Sequence, residues 1–124
     1  MPLIQIVRNP KKIPDNILMK ILSMLPKVAA EALSCSEGGK LQPKDIMIEV
    51  TEFSPFDTNC KDLHVRVWAH DYPSRAGRNL KKLDEIQHII SSNVWGYITA
   101  EVPEASWNVW VLLAKTSYRS DTEA

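Results

Sequence analysis

The second residue of the 124-residue chain is a proline, set directly ahead of the apolar run LIQIV. Proline supplies no N–H to a strand ladder, yet it is tolerated at the first position of a strand. Its chemical interest lies elsewhere. Once Met1 is removed, Pro2 becomes a free secondary amine at the tip of a rigid element, and an α-amino group titrates at about 7.7–8.0, close to operating pH. With Met1 attached, the same nitrogen is an amide and has no basicity. A second feature is SRAGRNLKK, Ser74 to Lys82, which carries Arg75 and Arg78 three positions apart around Gly77. Both arginines would project near a helix N-terminus, where uncapped N–H groups and the dipole already favour anions. A guanidinium is the preferred bidentate partner of a carboxylate. The amine is a potential general base, and the arginines are a potential carboxylate clamp.

Other chemistries find little support. Cys35 and Cys60 are 25 positions apart with no C-x-x-C, so reduced, structural thiols are expected. His64, His70 and His88 form no metal-ligand set, and neither a metal nor a cofactor is indicated. Fifteen basic residues balance fifteen acidic ones, leaving no net field to attract nucleic acid or an anionic membrane. No apolar run approaches the roughly 20 residues of a membrane span, and LIQIV is too short and wrongly flanked for a signal peptide. A cytoplasmic protein is expected.

The elements that must position these residues follow from hydrophobic period. LIQIVR, Leu3 to Arg8, reads as a strand, and NPKKIP as a turn. Asp15 resembles an N-cap ahead of Ile17, Leu18, Ile21, Leu22 and Leu25, which keep helical spacing. Pro26 predicts a kink or two stacked short helices, ended near Ser34 by EGG. DIMIEVTEF alternates with the period of a half-buried strand, and DLHVRVWAH does so again. There Leu63, Val65, Val67 and Ala69 lie on one face, opposite His64, Arg66, Trp68 and His70. NLKKLDEIQHII predicts a second helix through Leu80, Leu83, Ile86 and Ile90. An irregular stretch, NVWGYITAEVPEAS, then precedes a last strand, WNVWVLLAKTSY, and a fraying tail, RSDTEA.

The order is β-α-β twice, in one domain: a first unit over about 2–53, a second over about 62–118, and a polar tail over 119–124. A βαβ crossover makes its two strands parallel. Two such units build a four-stranded mixed sheet with both helices on one face, an α+β fold. The other face, carrying Met47, Trp68 and Trp110, would be too apolar to remain bare, which predicts an oligomer.

With Pro2 and the arginine pair in these positions, the sequence resembles the tautomerase superfamily, which includes 4-oxalocrotonate tautomerase, 5-carboxymethyl-2-hydroxymuconate isomerase and macrophage migration inhibitory factor. The resemblance covers nearly the whole chain in topology and length and is strongest at MPLIQI and AGRNLKK. LPKVAAEAL is similar to the first helix of the hydroxymuconate isomerases, and VWVLLAKTSY to the last strand of small relatives without assigned activity.

The resemblance implies a homotrimer, with Pro2 as general base or acid on a small 2-oxo or 2-hydroxy unsaturated carboxylic acid. It implies that Arg78 holds the substrate carboxylate with help from Arg75, that Lys40 in GGKLQPK is a pocket lysine, and that Trp110 lines a pocket completed by a neighbouring subunit. Isomerisation, hydration, dehalogenation and decarboxylation would all use the same proline and arginines. A non-catalytic trimer of this fold, serving binding or signalling, and an unrelated α+β domain are the alternatives. Intact mass at the N-terminus separates the first two, and trimerisation separates both from the third.

Overall fold

A computed structural model describes residues 2–115. The sheet is built from β1 (Leu3–Arg8), β2 (Met47–Glu52), β3 (Leu63–His70) and β4 (Trp107–Ala114) in the order β2-β1-β3-β4. β1 pairs parallel to β2, β3 pairs parallel to β4, and the two units join through the antiparallel β1–β3 pair. The helices α1 (Asp15–Leu33) and α2 (Leu80–Glu101) both cover one face. This is the expected four-stranded mixed sheet with two helices on one side. The expected polar tail and the end of the last strand at Thr116–Tyr118 lie outside the described residues.

Alternation decides which face is buried. Ile4 and Ile6 of β1, Leu63, Val65 and Val67 of β3, and Val109 of β4 point into the core. They meet Ile17, Ile21 and Leu25 of α1 and Ile86, Ile90, Val94 and Ile98 of α2. Those four residues of α2 are spaced by four, and they explain a correction. The helix does not end near Ile90; it runs through NVWGYITAE to Glu101. Val94, Ile98 and Gly96 are poor helix formers, but two of them pack against the sheet and Gly96 faces open space. Packing overrides a propensity deficit of about 1 kcal/mol for the glycine.

Three smaller findings concern α1 and β2. Asp15 is the first helical residue rather than the N-cap, a place taken by Pro14 in extended conformation. Of the two arrangements expected at Pro26, the structure has the single helix and not two stacked short ones, and it ends where expected, at Leu33 with Ser34 as C-cap. The Ser34 Oγ donates to the Ala30 carbonyl and accepts from Leu41 N–H, while Gly39, at φ 77°, closes a separate turn bridged by Cys35. β2 is an edge strand with Ile48 only half-buried and Val50 exposed, so its alternation marks a sheet face without marking a deep one.

At the sheet end remote from Pro2, Arg8 is buried and donates to Ile13 O, Asp15 and Glu52, tying β1 to β2 and to the start of α1. Asp62 accepts from Ser106 N–H and Oγ and from Asn9 Nδ2, joining the two βαβ units. Burial alone would raise the Asp62 pKa, but these hydrogen bonds and nearby Lys12 outweigh it and hold the carboxyl below its ordinary range. A depressed folded-state pKa contributes stability above the unfolded value, lost as pH falls through the folded one. The stability difference between wild type and Asp62→Asn is therefore expected to shrink as denaturation curves are taken from pH 6 down to about pH 3 and below. A difference independent of pH would show that the charge is not what these bonds recognise.

Candidate functional site

Parallel and antiparallel pairing bring one set of termini together. The start of β1, the ends of β3 and β4, the end of α1 and the start of α2 all lie at one end of the sheet. Leu3 pairs with Trp68, so Pro2 continues the register toward Ala69 and His70. Pro2 is buried, and its carbonyl accepts Met47 N–H at 3.0 Å, which fixes the tip of β1 against β2.

Beyond His70, the β3–α2 loop is shaped by Asp71. Its carboxylate accepts Gly77 N–H at 2.9 Å and Arg78 N–H at 3.0 Å, and both donors have left-handed backbones, φ 59° and 64°. Gly77 is required there, because an added Cβ would lie 2.8 Å from the Pro73 carbonyl oxygen. Asn79 then caps α2 by accepting Lys81 and Lys82 N–H. The expectation of uncapped N–H groups waiting for an anion is thus corrected: Asn79 already accepts two of the helix N–H groups, and Asp71 holds the loop N–H groups just ahead of them. Anion recognition at this end falls to side chains instead.

Arg75 and Arg78 have separate fates. Arg75 is 7% exposed; its Nε donates to Leu33 O and its Nη1 to His70 O, each at 2.7 Å, with the guanidinium 5.2 Å from the Tyr72 ring centre. It ties the end of α1 to the end of β3 and does not project beside the start of α2 as expected. Arg78 is exposed, and among the described residues its guanidinium makes no hydrogen bond or ion pair. It lines a cleft of about 820 Å³ with His70, Asp71, Pro73, Leu113 and Lys115. Lys115 was not singled out by sequence reasoning; only the register of β4 on β3, Ala114 beside His70, brings it there.

Lys40 is exposed on the loop after α1. That loop is tied to the arginine loop through Ser36 N–H to Ser74 Oγ at 3.0 Å and through the Glu37 carboxylate, which accepts from Ser74 N–H and Oγ. Pro2, Lys40, Arg75 and Arg78 therefore share one end of the sheet. Among the described residues, only Arg78 of these four lines the cleft.

Trp110 is elsewhere. It pairs with Arg66 in the middle of β4, on the sheet face that carries no helix, and is 56% exposed. It lines a separate cleft of about 420 Å³ with Phe53, Lys61, His64, Arg66 and Asn108. Burial, then the charge of Arg66, push the His64 pKa down against a hydrogen bond with Asn108. Its Nε2 accepts Arg66 Nε–H at 3.1 Å. Met47 and Trp68 share this open face as expected, and Trp68 Nε1 donates to Gln5.

No helix among the described residues is long and apolar enough to cross a membrane. The sequence matches no protein-family model and no curated protein. Solved structures do match over nearly the whole chain. A 5-carboxymethyl-2-hydroxymuconate isomerase from Deinococcus radiodurans R1 is 12% identical with a TM-score of 0.62, covering 96% of this chain and 88% of that one. A malonate semialdehyde decarboxylase is 11% identical with a TM-score of 0.61, covering 96% and 89%. A fused 4-OT asymmetric trimer is 9% identical with a TM-score of 0.63, covering 96% and 92%. Likeness at such identity speaks of architecture, and by its sheet order, its paired βαβ units and these neighbours the chain has the tautomerase-superfamily fold.

Proposed function

We propose that this protein is a proline-based tautomerase or isomerase acting on a small 2-oxo or 2-hydroxy unsaturated carboxylic acid. The observation that carries the reading is the placement of Pro2 and of Arg78, whose guanidinium is unpaired among the described residues and lines an open cleft, at the same end of the sheet. β1 and β4 flank β3, so Pro2 and the cleft wall at Ala114 are two strand spacings apart, roughly 10 Å. An extended dienoic acid bridges that span, with its carboxylate at Arg78 and its acidic carbon toward the amine. The malonate semialdehyde decarboxylase was itself solved as a variant with its first residue changed from proline to alanine, which supports a role for such a proline in this fold.

In this reading Met1 is removed and the Pro2 nitrogen takes a proton from the substrate carbon and returns it elsewhere on the conjugated system. Arg78 holds the carboxylate and stabilises the negative charge that spreads toward it in the dienolate. Hydration or decarboxylation would use the same two groups. Arg78→Ala is expected to weaken carboxylate binding by roughly 1.5–3 kcal/mol, the scale of a hydrogen bond to a charged group. Titration of a substrate analogue followed by calorimetry measures it, and unchanged affinity would place the carboxylate elsewhere.

The assembly belongs to the same proposal. The open face leaves Met47, Trp68 and Trp110 at 41%, 37% and 56% exposure, and exposed apolar side chains gathered on one sheet face mark an interaction surface. The fused 4-OT neighbour is a trimer. Light scattering is expected to return about three times the 14.1 kDa chain mass. A monomer at micromolar concentration would remove Trp110 from any shared pocket. A second reading, a non-catalytic trimer, is favoured by one observation: Arg75 is consumed by internal bonds, leaving a single arginine in the cleft.

A further inference from the structure

We infer that the cleft beside Arg78 selects monocarboxylates over dicarboxylates, an inference that rests on the proposed function and names the substrate class of that same site. Among the described residues the cleft is lined by three side chains of formal charge, Arg78, Lys115 and Asp71. Arg78 and Lys115 come from different elements, the β3–α2 loop and the residue after β4, and neither has an acidic partner among the described residues. Asp71 cannot swing away to make room for a second anion. Its two oxygens are held by the N–H groups of Gly77 and Arg78, and its own N–H is bonded to Ala114 O at 3.0 Å. The formal charges of these three side chains sum to one positive charge.

One carboxylate placed between Arg78 and Lys115 neutralises that charge. A second carboxylate on the same molecule would have to lie along Pro73, Leu113 and Ala114, which offer it no donor side chain, or at His70 and Asp71, where the Asp71 carboxylate repels it. Neither location compensates its desolvation. The apolar wall instead suits the hydrocarbon part of an unsaturated acid.

Sorbate and trans,trans-muconate test this directly, because they share a six-carbon diene and differ in having one or two carboxylates. In calorimetric titrations of the protein at low salt and pH 8, sorbate is expected to bind at least about tenfold more tightly. Lys115→Met should weaken sorbate several-fold. Asp71→Asn should bring muconate to within about threefold of sorbate by removing the repelling charge. Should that variant fail to fold, Lys115→Met still decides whether the second cation is used. Muconate binding as tightly as sorbate, no loss on Lys115→Met, or binding of neither acid would overturn the inference. The parent reading is judged separately, by Pro2-dependent proton transfer on 2-hydroxymuconate and on its monocarboxylate counterpart. Preference for the dicarboxylate with turnover intact sinks the selectivity alone, whereas absence of Pro2-dependent turnover on both sinks the mechanism.

Discussion

Replacing Pro2 with alanine in the protein freed of Met1 is expected to lower proton transfer by about 10²-fold or more, within the range that general acid–base groups contribute. The substitution keeps a terminal amine but changes its basicity and its rigid placement at the tip of β1, where the residue is buried and its carbonyl is bonded to Met47 N–H. The pH profile adds a second readout. The rate limb governed by the free amine should move in the alanine variant, whose primary amine differs in basicity from the cyclic secondary amine. Intact-mass measurement of the native protein must first show loss of Met1, since an acylated proline nitrogen has no lone pair to use. A retained methionine, or unchanged turnover in the variant, would make the proline structural.

Arg75→Ala is expected to cost stability rather than affinity. The side chain is buried and satisfies two backbone carbonyls, Leu33 O and His70 O, from different elements. Each bond to a charged donor is worth about 1.5–3 kcal/mol, and the Leu33 carbonyl loses this donor in a buried setting, whereas the His70 carbonyl keeps Tyr72 N–H. A loss of roughly 3 kcal/mol, on the order of 10 °C in Tm for a chain of this size, follows. Gly38 reports the tightness of the same region: a Cβ there would meet Cys35 Sγ and a Tyr72 ring carbon at 2.9 Å. Denaturant titration and thermal melting of the variant decide the matter. If the midpoint stays within a degree while KM for a responsive acid rises, Arg75 is a substrate ligand after all.

Much of the fold was legible because the patterns were local and redundant. The strict alternation of β3 assigned Leu63, Val65 and Val67 inward and Arg66 and Trp68 outward, and a two-residue period admits no other arrangement on a half-covered sheet. The end of α2 was not legible. Val94, Ile98 and Gly96 argue locally against a helix, and only the sheet beneath them makes that stretch worth keeping helical. Pro26 left one helix and two short ones both open, and the packing of Leu25, Ala29 and Ala30 on either side offsets its missing hydrogen bond and decides for one.

The candidate site divides along the same line. The residues alone determined that Pro2 begins a strand, that Arg75 and Arg78 stand between a strand and a helix, and that two βαβ units leave one sheet face uncovered, because chain connectivity and side-chain period dictate these. They did not determine what each arginine does. Two guanidiniums three residues apart look equivalent in one dimension, but the tight turn at Gly77 and Arg78, closed by the Asp71 carboxylate, sends one inward to the carbonyls of Leu33 and His70 and leaves the other in the cleft. The same holds for Lys115, distant in sequence from every residue it faces, and for Trp110, which the register of β4 on β3 places opposite Arg66 and away from the cleft. Those assignments depend on long-range pairing and on buried backbone groups demanding partners, and tertiary structure alone settles both.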